Sequence, residues 1–234
     1  MSPYRERYHR DLKELKNLTK ELADRGGGAI DKSVLALRDA NVDLAREVIK
    51  QDQEMDDLGL KIENLCMELL ALQQPMAKDL RRIIGILKIC IDLERIGDES
   101  AKIGRACKWL SEKGSGFRMN RIPDLHQTAE IAARLLHRSL DAFARLDGQA
   151  AAAIIRDDAG IDDRFRATLR QLVTYMMEDP RSISAAIDTI WVAKAIERVG
   201  DHAKNIAEHV IFIAHGTDVR HASLEDVDRV VSQG

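Results

Sequence analysis

The chain has 234 residues, of which 45% are apolar, 32% charged and 4% aromatic, with four prolines and a net charge of −3. That length can bury a sizeable core, the mixture excludes disorder, and so few aromatics and prolines disfavour a β-sandwich or barrel. The slight negative charge gives no electrostatic basis for nucleic-acid binding, and no run of about 18 apolar residues is present to span a bilayer.

Apolar residues recur with a helical period along almost the whole chain. Met1 to Lys16 is too charged for a signal peptide. Tyr8, Leu12, Leu15 and Leu22 mark one helix face, which Ile30, Val34, Leu37 and Val48 continue. Gly26, Gly27 and Gly28 interrupt it. Each interior glycine costs about 1 kcal/mol against alanine, so the register predicts one long helix with a weak middle, and a break there is the alternative. A second helix carries a bundle seam of Met55, Leu58, Ile62, Leu65, Leu69 and Leu72. Gln73-Gln74-Pro75 ends it, and Pro75 suits the first turn of a third helix with Leu80, Ile83, Leu87 and Ile91 inward, running to about Leu110. Lys113-Gly114-Ser115-Gly116 predicts a flexible break.

The plan then restarts. A fourth helix is predicted from about Asp124 to Ile155 with Leu135, Phe143 and Leu146 inward, and a fifth with Ile161, Phe165, Leu169, Leu172 and Met176. Asp179-Pro180 repeats the role of Gln74-Pro75, and a sixth helix carries Ile183, Ile187 and Ile190. From Gly216 the pattern is lost, which predicts a loosely held tail. Cys66, Cys90 and Cys107 fall in helical patterns without CxxC spacing, and read as buried apolar groups in a reducing, cytoplasmic compartment.

Three landmarks occur twice. Asp52-x-x-x-Asp56-Asp57 answers to Asp158-x-x-x-Asp162-Asp163, Pro75 to Pro180, and Leu93-Glu94-Arg95-Ile96-Gly97-Asp98 to Ile196-Glu197-Arg198-Val199-Gly200-Asp201, at offsets of 106, 105 and 103 residues. One order and nearly one offset indicate a duplicated unit. The expected fold is all-α: three-helix bundles at residues 1–115 and 116–216, followed by a tail at 217–234.

The Glu-Arg-x-Gly-Asp motifs put acid where apolar residues are expected. Glu94 lies seven residues after Leu87, Asp98 seven after Ile91 and Glu197 seven after Ile190, whereas Asp201 follows Lys194. Carboxylates four apart stand one above the other on a helix face and mildly oppose the helix, by about 0.2–0.5 kcal/mol per pair. Asp52 and Asp56 flank Met55 at the start of the second helix, as Asp158 and Asp162 flank Ile161. Antiparallel packing would gather four acids in each half: Asp52, Asp56, Glu94 and Asp98, then Asp158, Asp162, Glu197 and Asp201. In a dry seam such a cluster needs compensation, because burying an unpaired charge costs several kcal/mol. Either a cation such as calcium, magnesium, manganese or iron supplies it, or Arg95, Arg198 and nearby lysines do. Gly97 and Gly200 suit close approach of a ligand or plain helix packing. His202 and His209 are read as surface or helix-end residues, His137 as solvent-facing, and Trp109 and Trp191 as core or interface anchors. The sequence contains no phosphate loop, nucleophile elbow or HExxH, and lacks the Glu-x-x-His pairs of di-iron bundles, so an enzyme is poorly supported.

At these residues the sequence resembles the PhoU family, the phosphate-transport accessory and regulatory proteins of bacteria. The likeness rests on Gln74-Pro75-Met76-Ala77-Lys78-Asp79-Leu80-Arg81, on both Glu-Arg-x-Gly-Asp motifs, and on Glu208 to His221, and it runs from about Tyr8 to His221. The resemblance implies two tandem three-helix bundles with multinuclear metal sites. The metal is iron or zinc in some members, manganese and magnesium also suit the donors, and by position the same eight acids would be the ligands. It further implies repression of the phosphate-starvation response, by linking the ATP-binding subunit of the phosphate transporter to a sensor histidine kinase. A homodimer, peripheral to the membrane, is part of the same expectation. One departure is Arg181-Ser182-Ile183-Ser184 after Pro180, without the Asp-Leu-Arg of the first half, so the halves need not bind alike. The alternative is a metal-dependent enzyme acting on phosphate esters through the acids.

Overall fold

The computed structural model describes residues 3–112 and 122–232. In chain order the helices are α1 (Pro3–Asp39), α2 (Val42–Gln73), α3 (Ala77–Glu112), α4 (Pro123–Arg145), α5 (Gly148–Asp157), α6 (Ala159–Glu178), α7 (Ile183–His215) and α8 (Leu224–Ser232), with a 3₁₀ turn at Pro180–Ser182. The described residues form no strand. The expected break at Lys113 to Gly116, and the domain boundary placed there, lie outside the described residues.

α1 passes unbroken through its three glycines. A Cβ at Gly26 would stand 3.3 Å from Leu93 Cδ2 and 3.6 Å from Met55 Cε, so the bare backbone lets the other two helices of the bundle close onto α1. Tertiary packing rather than propensity sustains the helix there. α1 ends at Ala40, in the left-handed region at φ 50°. The Asn41 side chain then caps α2, accepting from the Asp43 and Leu44 amides at 3.0 and 3.1 Å. Val48 therefore belongs to α2 rather than to the first helix, and Asp52 and Asp56 lie well inside α2 rather than at its start.

The second half repeats this junction. The single fourth helix expected through Ile155 is in fact two helices. Leu146 stops α4 at φ 52°, and Asp147 caps α5 by accepting from the Ala150 amide at 2.9 Å. Ala40-Asn41 and Leu146-Asp147 are 106 residues apart, a fourth landmark of the duplication. Only Asp158, itself with helical φ and ψ, separates α5 from α6, so the two together stand where α2 stands in the first half. Pro75 lies in the connection before α3 rather than in its first turn, whereas Pro180 opens the 3₁₀ turn.

α1, α2 and α3 pack on one another, as do α4, α5, α6 and α7, and the halves meet through α3 on α7 and α1 on α4. The core includes Leu22, Ile30, Met55, Ile62, Ile83, Leu93 and Ile96 from the first half and Leu136, Leu172, Ile196, Val199 and Ile206 from the second. Each fully buried aliphatic side chain contributes roughly 1.5–3 kcal/mol. The three cysteines are buried free thiols, and burial pushes Cys66 and Cys107 up to about 12. Neither tryptophan anchors the core: Trp109 is 48% exposed and Trp191 68%. The tail is not loose, because α8 packs on α5 and α7 with Val219, Val227 and Val231 buried. Among the described residues, no helix is long and apolar enough to cross a membrane.

Candidate metal centres

α2 and α3 run antiparallel, and their facing edges carry the first acid set. Glu94 lies across α2 at Gly59: a Cβ there would be 1.7 Å from Glu94 Oε1. Gly97 in turn abuts Met55 and Asp52, and Gly200 abuts Ile161, so both motif glycines serve helix packing. Asp52, Asp56, Glu94 and Asp98 are half-buried. Asp52 Oδ1 is buried without a hydrogen-bond partner, while the Arg105 guanidinium stands 3.9 Å from Asp52 Oδ2 and Arg95 holds Asp98 at 3.1 Å. Burial, then the charges of Asp98 and Asp56, raise Asp52; burial, then Asp98 and Asp57, raise Asp56. Burial and then Glu63 push Glu94 up to about 7. Glu63 is a fifth acid that sequence reasoning missed, although Asp52, Asp56, Gly59 and Glu63 fall four, three and four apart on one edge of α2.

In the second half, Asp162 on α6 and Glu197 and Asp201 on α7 each offer a carboxylate oxygen, all within 4.8 Å of one another. Ligand oxygens at about 2.0–2.6 Å from one ion span distances of this order, so the triad fits a small divalent cation. Among the described residues it is the sole such group; the first set is not gathered as closely. Asp158 is drawn to Lys204 at 3.3 Å, and Glu197 pairs with Lys194. Burial and then the Glu197 charge push Asp201 up to about 6, and burial raises Asp158 against the pull of Lys204. Arginines and lysines therefore compensate part of each set, and three carboxylate oxygens remain clustered in the second.

The acids sit at the rim of the helix pairs, not in a dry seam. Ile91 and Ile187, from which an inward stripe was read, are each 45% exposed, and Asp162 and Asp201 are exposed as well. The buried residues of α3 include instead Ile89, Ile96 and Ile103, and two buried acids of the same helix reach α7. Asp92, 6% exposed, accepts from Asn205 Nδ2 at 3.1 Å and bonds His202 Nδ1 at 2.9 Å, with His209 Nε2 at 3.3 Å from its other oxygen. Burial pushes Asp92 up, but the His202, His209 and Asn205 contacts outweigh it and hold the carboxyl below its ordinary value. Glu99, 3% exposed, pairs with Lys102 at 2.8 Å and Arg198 at 3.1 Å. His202 and His209 are thus seam residues rather than surface ones. Their spacing of seven was the available signal. His137 is exposed, as read, and meets Asp31 at 2.9 Å.

Comparison with known proteins agrees with this duplicated geometry. The PhoU domain matches twice, over residues 19–107 and 125–210. A phosphate-specific transport system accessory protein PhoU homolog from Pseudomonas aeruginosa is 43% identical over 202 residues, covering 85% of this chain and 83% of that protein. The PhoU accessory protein of Escherichia coli K12 is 33% identical over 222 residues, 94% of this chain and 91% of that one. The crystal structure of PhoU from Pseudomonas aeruginosa superposes with a TM-score of 0.83 at 37% identity, over 90% of this chain and all of the other. That of the phosphate transport system regulatory protein PhoU from Streptococcus pneumoniae superposes at 0.80 and 29% identity, over 91% and 99%. With two matching helical halves, both Glu-Arg-x-Gly-Asp motifs and these relatives over most of its length, the chain belongs to the PhoU family.

Proposed function

We propose that the chain is a non-catalytic regulator of phosphate homeostasis. It represses the phosphate-starvation response and tunes high-affinity phosphate uptake by bridging the transporter's ATP-binding subunit and a sensor histidine kinase. The observation that carries this reading is the double match to the PhoU domain together with near full-length relatives named as accessory proteins of phosphate-specific transport. The work belongs in the cytoplasm, at the inner membrane surface, and a homodimer is the assembly we assign. Long helices with exposed polar faces suit an adaptor.

In this reading the acid sets hold divalent cations, with iron, zinc, manganese or magnesium as the classes that suit them. Asp162, Glu197 and Asp201 would be the ligands of the second half, with Asp158 held in reserve by Lys204. Asp52, Asp56, Glu94 and Asp98 would serve in the first, where the unpartnered Asp52 Oδ1 is one free donor. A bound cation would supply positive charge beyond that of the neighbouring arginines and lysines.

Removing the gene and measuring phosphate uptake and a starvation-gene reporter in high phosphate tests the role. De-repressed reporter is expected, and an unchanged reporter and uptake would overturn it. Elemental analysis of gently purified protein, beside Glu94→Gln and Asp201→Asn, tests the cations. Metal is expected in the parent and reduced metal in each variant.

A further inference from the structure

A groove of about 360 Å³ opens between α1, α3 and α4, and none of the eight acids lines it. Its floor is Leu12, Leu15, Ala23, Ile86, Leu140 and Phe143. The one hydroxyl in the lining, on Thr19, is used internally, donating to the Leu15 carbonyl at 2.7 Å. The floor therefore offers contact area and no free polar group. The rim is basic: Lys16 and Lys20 on α1, Arg82 on α3 and Arg145 on α4, against the single acid Asp24. Arg145 is tied to Asp141 at 2.6 Å. Among the described residues, Lys16, Lys20 and Arg82 make no ion pair, although exposed acids abound elsewhere on the surface. A gap left by imperfect packing has no reason to collect three unpaired cations.

We propose that this groove binds a free, single-chain amphipathic anion, with its acyl chain along the aliphatic floor and its carboxylate or phosphate head among Lys16, Lys20 and Arg82. Cavities of about 300–1,000 Å³ with apolar walls and a few placed polar groups are typical of small-ligand sites. The floor is aliphatic apart from Phe143, which suits a hydrocarbon chain better than a stacked base. Walls from three helices suit a narrow chain better than a whole helix of a partner protein. The ligand would touch α1 and α3 of the first half and α4 of the second, so it would link the two halves at a place other than the α3–α7 seam. This inference does not depend on the adaptor reading or on the cations.

The test is titration of the full-length protein with octanoate, decanoate and dodecanoate below their micelle concentrations. Dodecanol and dodecyltrimethylammonium serve as head-group controls, and phosphatidylglycerol vesicles as the bilayer control. Saturable one-to-one binding is expected, tightening about fourfold per added methylene. The alcohol should bind at least about tenfold more weakly than the acid, and the cation not at all. Lys16→Glu with Arg82→Glu, both exposed positions, should weaken dodecanoate at least about tenfold, and Ala144→Trp at the exposed mouth should block it, with unfolding curves unchanged. Equal binding of alcohol and acid, equal binding by parent and variants, or absence of saturable binding would each overturn the proposal. So would vesicle binding that these variants abolish while monomeric acids fail to bind, which would assign the rim to a bilayer surface. Displacement of the acid by an acidic helical peptide that binds more tightly would assign the groove to a protein partner instead.

Discussion

In the first half, Glu94 lies across a bare Gly59 and joins Asp52, Asp56, Asp98 and Glu63. In the second, Phe165 stands at the place of Gly59 by the repeat offset of 106, and Lys194 approaches its ring at 5.4 Å while pairing with Glu197. The residues at the matching offset from Glu63, Thr168 and Leu169, are not acidic. The first rim therefore has five acids compensated by exposed arginines, and the second four acids compensated by its own two lysines. Duplication preserved the acids, whereas the neighbours decide how closely the oxygens gather. Three of them converge in the second half and fewer in the first.

The seam gives the sharpest way to break this comparison. Asp92 is matched in the second half by Ala195, at the offset of 103. Asp92→Ala should cost about 3 kcal/mol in urea unfolding, because two histidines and an amide lose their buried acceptor. Next in size is Asp201→Asn, which removes the charge of one of three converging carboxylates. It should weaken cation binding in the second half by about 100-fold and leave the first half's stoichiometry unchanged, read by elemental analysis after dialysis. Gly59→Ala should then make the first half resemble the second. Its Cβ meets the flexible end of Glu94, so the fold should survive at a cost of about 1 kcal/mol while Glu94 swings off α2, detectable as lost metal in the first half alone.

A pH series separates the halves without mutation. Carboxyls raised by the fold contribute stability that is complete below their ordinary values and lost as pH rises through the folded ones. Metal-free protein should therefore lose thermal stability as pH rises above the ordinary carboxyl values, with the Asp201 contribution gone by about 6 and that of Glu94 by about 7. Added cation should flatten the decline, and Glu94→Gln should remove its upper part. Smallest of all, Lys204→Ala should change stability by under about 1 kcal/mol, since Lys204 is itself 37% exposed, while freeing Asp158 to tighten the second site a few-fold.

The helical class and the duplication were legible because apolar period and repeated acids survive at nearly one offset. The breaks at Ala40 and Leu146 were not, since both stops use a left-handed non-glycine residue where glycine is the usual marker. The caps Asn41 and Asp147 were readable signs that went unused. The inward face of α3 was misplaced for a different reason. α3 packs on α1 and α2 and also on α7, so Ile83, Ile84, Ile86, Leu87, Ile89 and Ile91 cover most of its circumference and the period no longer selects a side. That error hid Asp92 and Glu99, placed the eight rim acids deeper than they lie, and left Glu63 uncounted.

The asymmetry of the α3–α7 seam also governs which pairings the chain can form. If two first halves met through α3 in the manner of α3 and α7, Asp92 of each would face Glu99 of the other, because Glu99 holds the repeat position of His202. Two acids would then share a buried contact, and the histidines that make the native contact favourable would be absent. Lys102 would take the place of Asn205 and Arg95 that of Arg198, so such self-pairing would rest on flexible surface cations where the native seam uses two placed histidines. It should be the weaker pairing while several copies fold at once.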